Sequence, residues 1–251
     1  KCSKIALEYN YDEINLNVGC PSKAVQKGSF GACLMKDKFL VRHCLEALQN
    51  SNITVSMKCR IGLGRKLNYE FFEEFIDEVL KSGIQIVYVH ARNAILSGIS
   101  PKANRNIPPL DYSFLNKIKN KYPKISFILN GGIDNFDKAI ELSKKYDGIM
   151  VGRLIQNNPF LLKNVDYHFY KKDKILDIND EIVLRYFDFI KQKVGKESIF
   201  RLLSPVLQIF FGIPESKQFK IKIHEYMKNN ELTRIEKLLL EFIKEKNYLF
   251  N

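Results

Sequence analysis

No apolar run in this 251-residue chain approaches the ~20 residues needed to cross a bilayer, and no basic-then-apolar leader opens it. A membrane partner is therefore not expected, and no secretory signal is visible. Cysteine is scarce and odd in number: Cys2, Cys20, Cys33, Cys44 and Cys59, with no C-x-x-C pair. That excludes a disulfide framework and a zinc knuckle, so no metal is expected and a reducing compartment is. Cytoplasm fits, with an organelle as the alternative because a targeting peptide would precede Lys1. No internal repeat or low-complexity segment is found. Acids are the minority charge, 28 against 40 basic residues, giving a net +12. Such a field suits a polyanionic partner, although a lysine-rich composition bias would produce it too.

What is present is a pattern of short apolar runs alternating with amphipathic helices. Strands are expected at residues 13–18, 53–60, 84–91, 125–130 and 148–151. Leu40, Val41, Cys44, Leu45 and Leu48 share one helical face, as do Phe72, Phe75, Ile76, Val79 and Leu80, with Asn68 as a cap and Ser82-Gly83 as a stop. Strands apolar throughout between such helices predict a parallel sheet covered by helices. Polar residues stand at the far end of each strand: Asn17 with Cys20, Lys58 with Arg60, His90 with Arg92, Asn130 with Gly131, and Gly152 with Arg153. Polar groups delivered at every strand end describe a β/α-barrel face; a doubly wound sheet would gather them at one switch point.

Five strands fall short of eight, and residues 1–17 read as the back half of a helix entering a strand. The expectation is a partial (β/α)8 TIM barrel over residues 1–165 whose first three β/α units are missing, one that folds poorly alone. Residues 166–251 form a small helical bundle, with helices near 179–193, 198–211, 215–228 and 231–246.

Cys20 sits where a strand opens into a loop, either as a reactive thiol or as a buried structural one. Asn130-Gly131-Gly132 and Gly152-Arg153 close consecutive strands, and converging backbone N–H groups with an arginine fork suit a phosphate. Lys58, inside an apolar run, must snorkel out or meet negative charge. The long loop 92–112 carries Arg92, Lys102 and Arg105 with no acid before Asp111, which suits nucleic-acid phosphates or simple solvation.

The runs INLNVGCPS, GSFGACLM, VSMKCRIG, VHARNAILSGISPKANRNIPPLDY, LNGGI and IMVGRLIQNNP follow in this order. Together they resemble the tRNA-dihydrouridine synthase family, in its bacterial A-type subfamily, strongly over residues 10–165 and more weakly through FFGIPESKQFKIKIHE. The resemblance implies an FMN-binding β/α barrel followed by a helical tRNA-binding domain, in a protein expected to be a monomer. It implies that NADPH reduces FMN, that the flavin passes hydride to C6 of a uracil ring in the tRNA D-loop (positions 20 and 20a), and that Cys20 protonates C5. Asn17 would contact the uridine. Lys58, His90, Asn130, Gly131, Gly132, Gly152 and Arg153 would hold FMN. Arg60, Arg92, Lys102, Arg105, Lys217 and Lys220 would face substrate or tRNA; lysine at 217 and 220, where arginine is more usual, keeps charge but loses the bidentate fork. LLSP at residues 202–205 replaces a TRH-like stretch. The alternative is an FMN barrel acting on a small molecule such as a free pyrimidine, which would need neither the basic loop nor the helical tail.

Overall fold

The computed structural model describes residues 1–172, 180–210 and 212–246. The expected helix start at residue 179 and Phe211 lie outside them. The chain divides into two compact units: Lys1–Ile133 with Asp137–Val151, and Asp134–Phe136 with the residues from Gly152 on.

In the first unit, α1 (Cys2–Glu8) leads to β1 (Glu13–Val18), α2 (Lys23–Lys27), α3 (Lys38–Gln49), β2 (Thr54–Arg60), α4 (Tyr69–Leu80), β3 (Ile86–His90), α5 (Ser113–Lys121), β4 (Ser126–Asn130), α6 (Phe136–Ser143) and β5 (Gly148–Met150). Every strand pairs parallel with the next, in the order β1-β2-β3-β4-β5. A doubly wound sheet would reverse direction at a switch point, and this one does not. Consecutive parallel order is the β/α-barrel arrangement, and the fold is of that class.

Helix starts follow local chemistry. Asp37 Oδ1 accepts from Leu40 N at 2.9 Å and Asn68 Oδ1 from Phe71 N at 3.0 Å, each satisfying an orphan donor of its helix. The helical faces carry Val41 and Leu45 on α3, and Phe72, Phe75, Ile76 and Val79 on α4, all buried. Leu40 departs from its expected place: it lies in the first turn of α3 and is exposed.

The strands are not apolar throughout. Register places Val18, Cys59, Val89 and Leu129 in one row, all buried, and successive residues of a strand face opposite sides. The opposite face is polar: Asn17, Lys58 and Tyr88 in one row, then Arg60, His90 and Asn130 in the row nearest the C-terminal edge. Lower on this face, Asn15 Nδ2 donates to Ser56 Oγ at 2.6 Å, Ser56 Oγ donates to Glu13 Oε1, and Tyr88 OH donates to Glu13 Oε2 at 3.4 Å. One sheet face packs on helices and the other offers hydrogen-bonding groups, which is why alternation exists where a continuous run was expected.

The second unit holds α7 (Arg153–Asn157), α8 (Val165–Tyr170), α9 (Asp180–Lys193), α10 (Ile199–Leu207), α11 (Ser216–Lys228) and α12 (Leu232–Glu245). Helices α9 to α12 close around Phe187, Phe210, Ile223 and Phe242, with the Phe210 and Phe242 rings 4.4 Å apart. Leu202 and Leu203, from the LLSP run, belong to this core. No helix among the described residues is long and apolar enough to cross a membrane.

Candidate active site

Residues after β1 form a loop held from several sides. Gly19 N donates to Asn17 Oδ1 at 3.1 Å, so Asn17 turns its own chain as it leaves the strand. Arg60 Nε donates to Gly19 O at 3.2 Å, and Ala32 N donates to Cys20 O at 2.9 Å. Gln26 Nε2 donates to Pro21 O and to Leu96 O, both at 2.9 Å. Ser22 Oγ caps α2 by accepting from Val25 N at 3.4 Å and also receives the Cys20 thiol at 3.5 Å. Gly31, at φ +64°, lies so near that a Cβ there would stand 2.5 Å from Cys20 O. Cys20 is half-buried at the C-terminal rim and is fixed by its main chain on both sides.

Lys58 stands in the row of Asn17 and is half-buried. Burial, then the nearby Arg60 charge, push its pKa down to about 8; Cys20 is close enough to act on it in the opposite sense. No carboxylate or other hydrogen-bonding partner meets the Lys58 amine among the described residues. An unbalanced, desolvated cation on the inner face fits an electron-rich or anionic group.

His90 ends β3 and is 6% exposed. Gly131 passes over its imidazole, and a Cβ there would fall 2.4 Å from His90 Cδ2. Gly131 and Gly132 have φ of +102° and +72°, and Tyr112 OH donates to Gly131 O at 2.9 Å. Asn130 Nδ2 donates to Met150 O at 2.8 Å, tying β4 to β5. The register of β2, β3 and β4 thus brings Lys58, His90 and Asn130 onto one face. Gly152 and Arg153 belong to the second unit, where Gly152 precedes α7 and Arg153 is exposed.

The long loop is packed rather than loose. Asn104, 0% exposed, accepts from Ile95 N at 2.8 Å and donates to Ile95 O at 2.9 Å. Asn93 Nδ2 donates to Lys66 O at 2.8 Å. Arg92 Nη1 donates to Pro108 O and, at 3.3 Å, to Asn106 O, so its guanidinium organises the loop's far arm. Lys102 and Arg105 stand exposed on either side of buried Asn104, in the turn Ala103–Arg105 and just before it. On α11, Lys217, His224 and Lys228 are exposed on one side of the helix, and half-buried Lys220 lies between them and the buried line of Ile223 and Met227.

Arg60 is expected to face substrate or tRNA. It is 4% exposed, and among the described residues its guanidinium bonds only main-chain carbonyls. The sequence reading also missed Asn93 and Asn104; two asparagines flanking a glycine and a proline in one loop were the available signal. No group of three or more His, Cys, Asp or Glu able to hold a metal occurs among the described residues.

A thiol, a lysine and a histidine displayed at the C-terminal ends of consecutive parallel strands define a β/α-barrel enzyme face. The dihydrouridine synthase (Dus) family matches residues 1–247, and the chain belongs to that family. It is 38% identical over 234 residues to a Shewanella oneidensis protein named tRNA-dihydrouridine(20/20a) synthase, covering 92% of this chain and 69% of that one. Proteins of the same name from Synechocystis and Salmonella typhimurium are 38% and 39% identical, over 86% and 89% of this chain and 66% and 68% of theirs. The chain spans about two thirds of the length of these curated relatives.

Proposed function

We propose that this chain serves the FMN-dependent, NADPH-driven reduction of uridine to 5,6-dihydrouridine in the D-loop of tRNA, at positions 20 and 20a. The observation that carries the reading is the Cys20 thiol, fixed at the strand rim beside the polar face that bears Lys58. When bound, the flavin supplies the hydride.

Lys58 would hold the electron-rich edge of the flavin, because its amine meets no acid among the described residues and gains from negative charge. His90 and Asn130 would contact the same cofactor; Gly131 and Gly132 join them on the resemblance, since the collisions of a Cβ there with His90 and Leu110 account for the glycines by internal packing. Gly152 and Arg153 enter this proposal on the resemblance alone. Cys20 would keep its proton until the uracil is seated and deliver it to C5, as a general acid must. Asn17 would orient the base, which has to leave its stack to reach the thiol. Lys102, Arg105, Lys217 and Lys220 would meet tRNA phosphates, a use that a small-molecule substrate does not explain.

The test is expression of the complete gene in a strain lacking dihydrouridine, with the modification mapped on tRNA. Restoration at positions 20 and 20a is expected from the wild type. Cys20→Ala is expected to abolish it while tRNA affinity stays within twofold. A Cys20→Ala protein that reduces tRNA at the normal rate would refute the assignment.

A further inference from the structure

Arg60 shares a sheet face with Lys58 but is far more enclosed. Its Nε donates to Gly19 O at 3.2 Å, and its Nη1 donates to Asn93 O at 3.3 Å and Asn104 O at 3.0 Å. These three carbonyls lie in functionally different places. Gly19 immediately precedes Cys20. Asn93 begins the loop beyond β3. Asn104 sits inside the turn that displays Lys102 and Arg105. A guanidinium is a planar fork with fixed donor directions, so one rigid group sets the spacing of all three segments. No carboxylate meets Arg60 among the described residues. A buried cation held by neutral carbonyls alone is a poor way to gain stability, since an apolar side chain would fill the space without the desolvation cost.

The other end of the linkage is equally firm. Asn104 is bound through both its side-chain atoms to the main chain of Ile95, so its carbonyl cannot move independently of residues 95–104. Arg60 and Gln26 each link this loop to the segment 19–33. Arg60 reaches Gly19, next to the thiol, whereas Gln26 reaches Leu96 from a helix that begins beyond the thiol.

We propose that Arg60 is a positioning residue that couples the basic turn at Lys102 and Arg105 to the placement of Cys20, so that RNA phosphates docking on the turn set the thiol for reaction. This rests on the reading of Cys20 and the turn given above. It replaces the expectation that Arg60 itself contacts tRNA. Lysine is not a substitute in this role: it keeps the charge but cannot span three carbonyls.

The experiment compares full-length wild type, Arg60→Lys and Asn104→Ala, each as flavin-loaded enzyme. In both variants kcat for tRNA reduction is expected to fall about tenfold or more, the scale of a misplaced reacting group. The tRNA Kd is expected to stay within twofold with an unchanged salt dependence, and flavin content and its reduction by NADPH are expected to hold. Amide hydrogen exchange supplies a readout independent of turnover. It is read in a Gln26→Ala background, which removes the Gln26–Leu96 bridge and leaves the one made by Arg60. Adding Asn104→Ala to that background is expected to speed exchange several-fold in residues 19–22. Unchanged exchange there would overturn the proposal. So would a weaker tRNA Kd in an Arg60→Met protein, with a salt slope reduced by about 0.7–0.9 and affinity restored by Lys, because that is the signature of a direct phosphate contact. If Arg60 variants do not fold, the Asn104→Ala comparison decides alone. If wild type forms no dihydrouridine, the functional reading fails while the exchange comparison still judges the coupling.

Discussion

Gly31→Ala concentrates several features of the site in one methyl group. Gly31 has φ +64°, and a Cβ there would lie 2.5 Å from Cys20 O, 2.7 Å from Val25 Cγ1 and 3.1 Å from Cys20 Cβ. The left-handed conformation costs alanine about 1–2 kcal/mol. The nearest obstacle is a main-chain oxygen, which cannot rotate away as a side-chain tip can, and overpacking of this kind adds about 1–3 kcal/mol. The Cys20 carbonyl also holds Ala32 N at 2.9 Å, so relief by moving it breaks a hydrogen bond as well. A loss of about 2–5 kcal/mol is expected by urea unfolding. Gly195→Ala is the control: its φ is +91° but nothing lies within 4 Å of the added carbon, so only the conformational cost of about 1–2 kcal/mol applies. In tRNA reduction, Gly31→Ala is expected to lose about 10- to 100-fold in kcat because the thiol moves with its carbonyl, while Gly195→Ala turns over normally. Equal stability losses in the two variants, together with normal turnover by Gly31→Ala, would refute the steric argument.

Lys58→Met is expected to stabilise the fold at neutral pH while removing activity. A pKa lowered from 10.5 to about 8 means that the unfolded chain binds more protons than the folded one between those values. The wild type therefore gains stability as pH rises through that window, and the advantage of methionine, up to about 3 kcal/mol at pH 7, shrinks over the same range. Denaturation of both proteins at pH 7 and pH 10 checks this, and a pH-independent difference would contradict it. Lys102→Ala with Arg105→Ala is expected to leave unfolding within about 0.5 kcal/mol of wild type, as both side chains are exposed. The same pair is expected to weaken tRNA binding and flatten its salt dependence by about 0.7–0.9 for each phosphate no longer neutralised, read by filter binding at several salt concentrations.

The five strands were legible within two residues at every end, because β-type apolar runs bounded by loops leave little freedom. Asn68 was legible as a cap for the same local reason. The polarity of the inner sheet face was not. Asn15, Ser56 and Tyr88 lie in runs taken as apolar throughout, and only register reveals that Asn15 and Ser56 are neighbours and that both Ser56 and Tyr88 reach Glu13. The role of Arg60 was hidden in the same way. The resemblance implied a substrate or tRNA partner, while the carbonyls it binds come from residues 41, 33 and 44 positions away in sequence. Local pattern specifies elements; the destination of a long side chain depends on which loops converge there. Leu40 shows the converse error, since its helical spacing was right but the first turn of α3 leaves it in solvent.

The charge distribution on the inner face ties these points to chemistry. Lys58 and Arg60 stand two residues apart on one strand, and burial lowers the pKa of both; the Arg60 charge lowers that of Lys58 further. Glu13, on the same face, is engaged lower down by Ser56 and Tyr88. Stability alone would select an acid nearby or an apolar replacement for the lysine. Arg60 has its charge distributed over three carbonyls, so its position is satisfied within the chain. Among the described residues Lys58 has no such partners, and negative charge arriving from outside would relieve its repulsion from Arg60. On the proposed reading the two cations divide the work: Arg60 builds the rim that holds Cys20, and Lys58 would meet the group that the rim receives. An enzyme that traded Lys58 for methionine would be a more stable fold with nothing to stabilise developing charge, which is the stability–activity conflict expected of a functional lysine and not of a structural one.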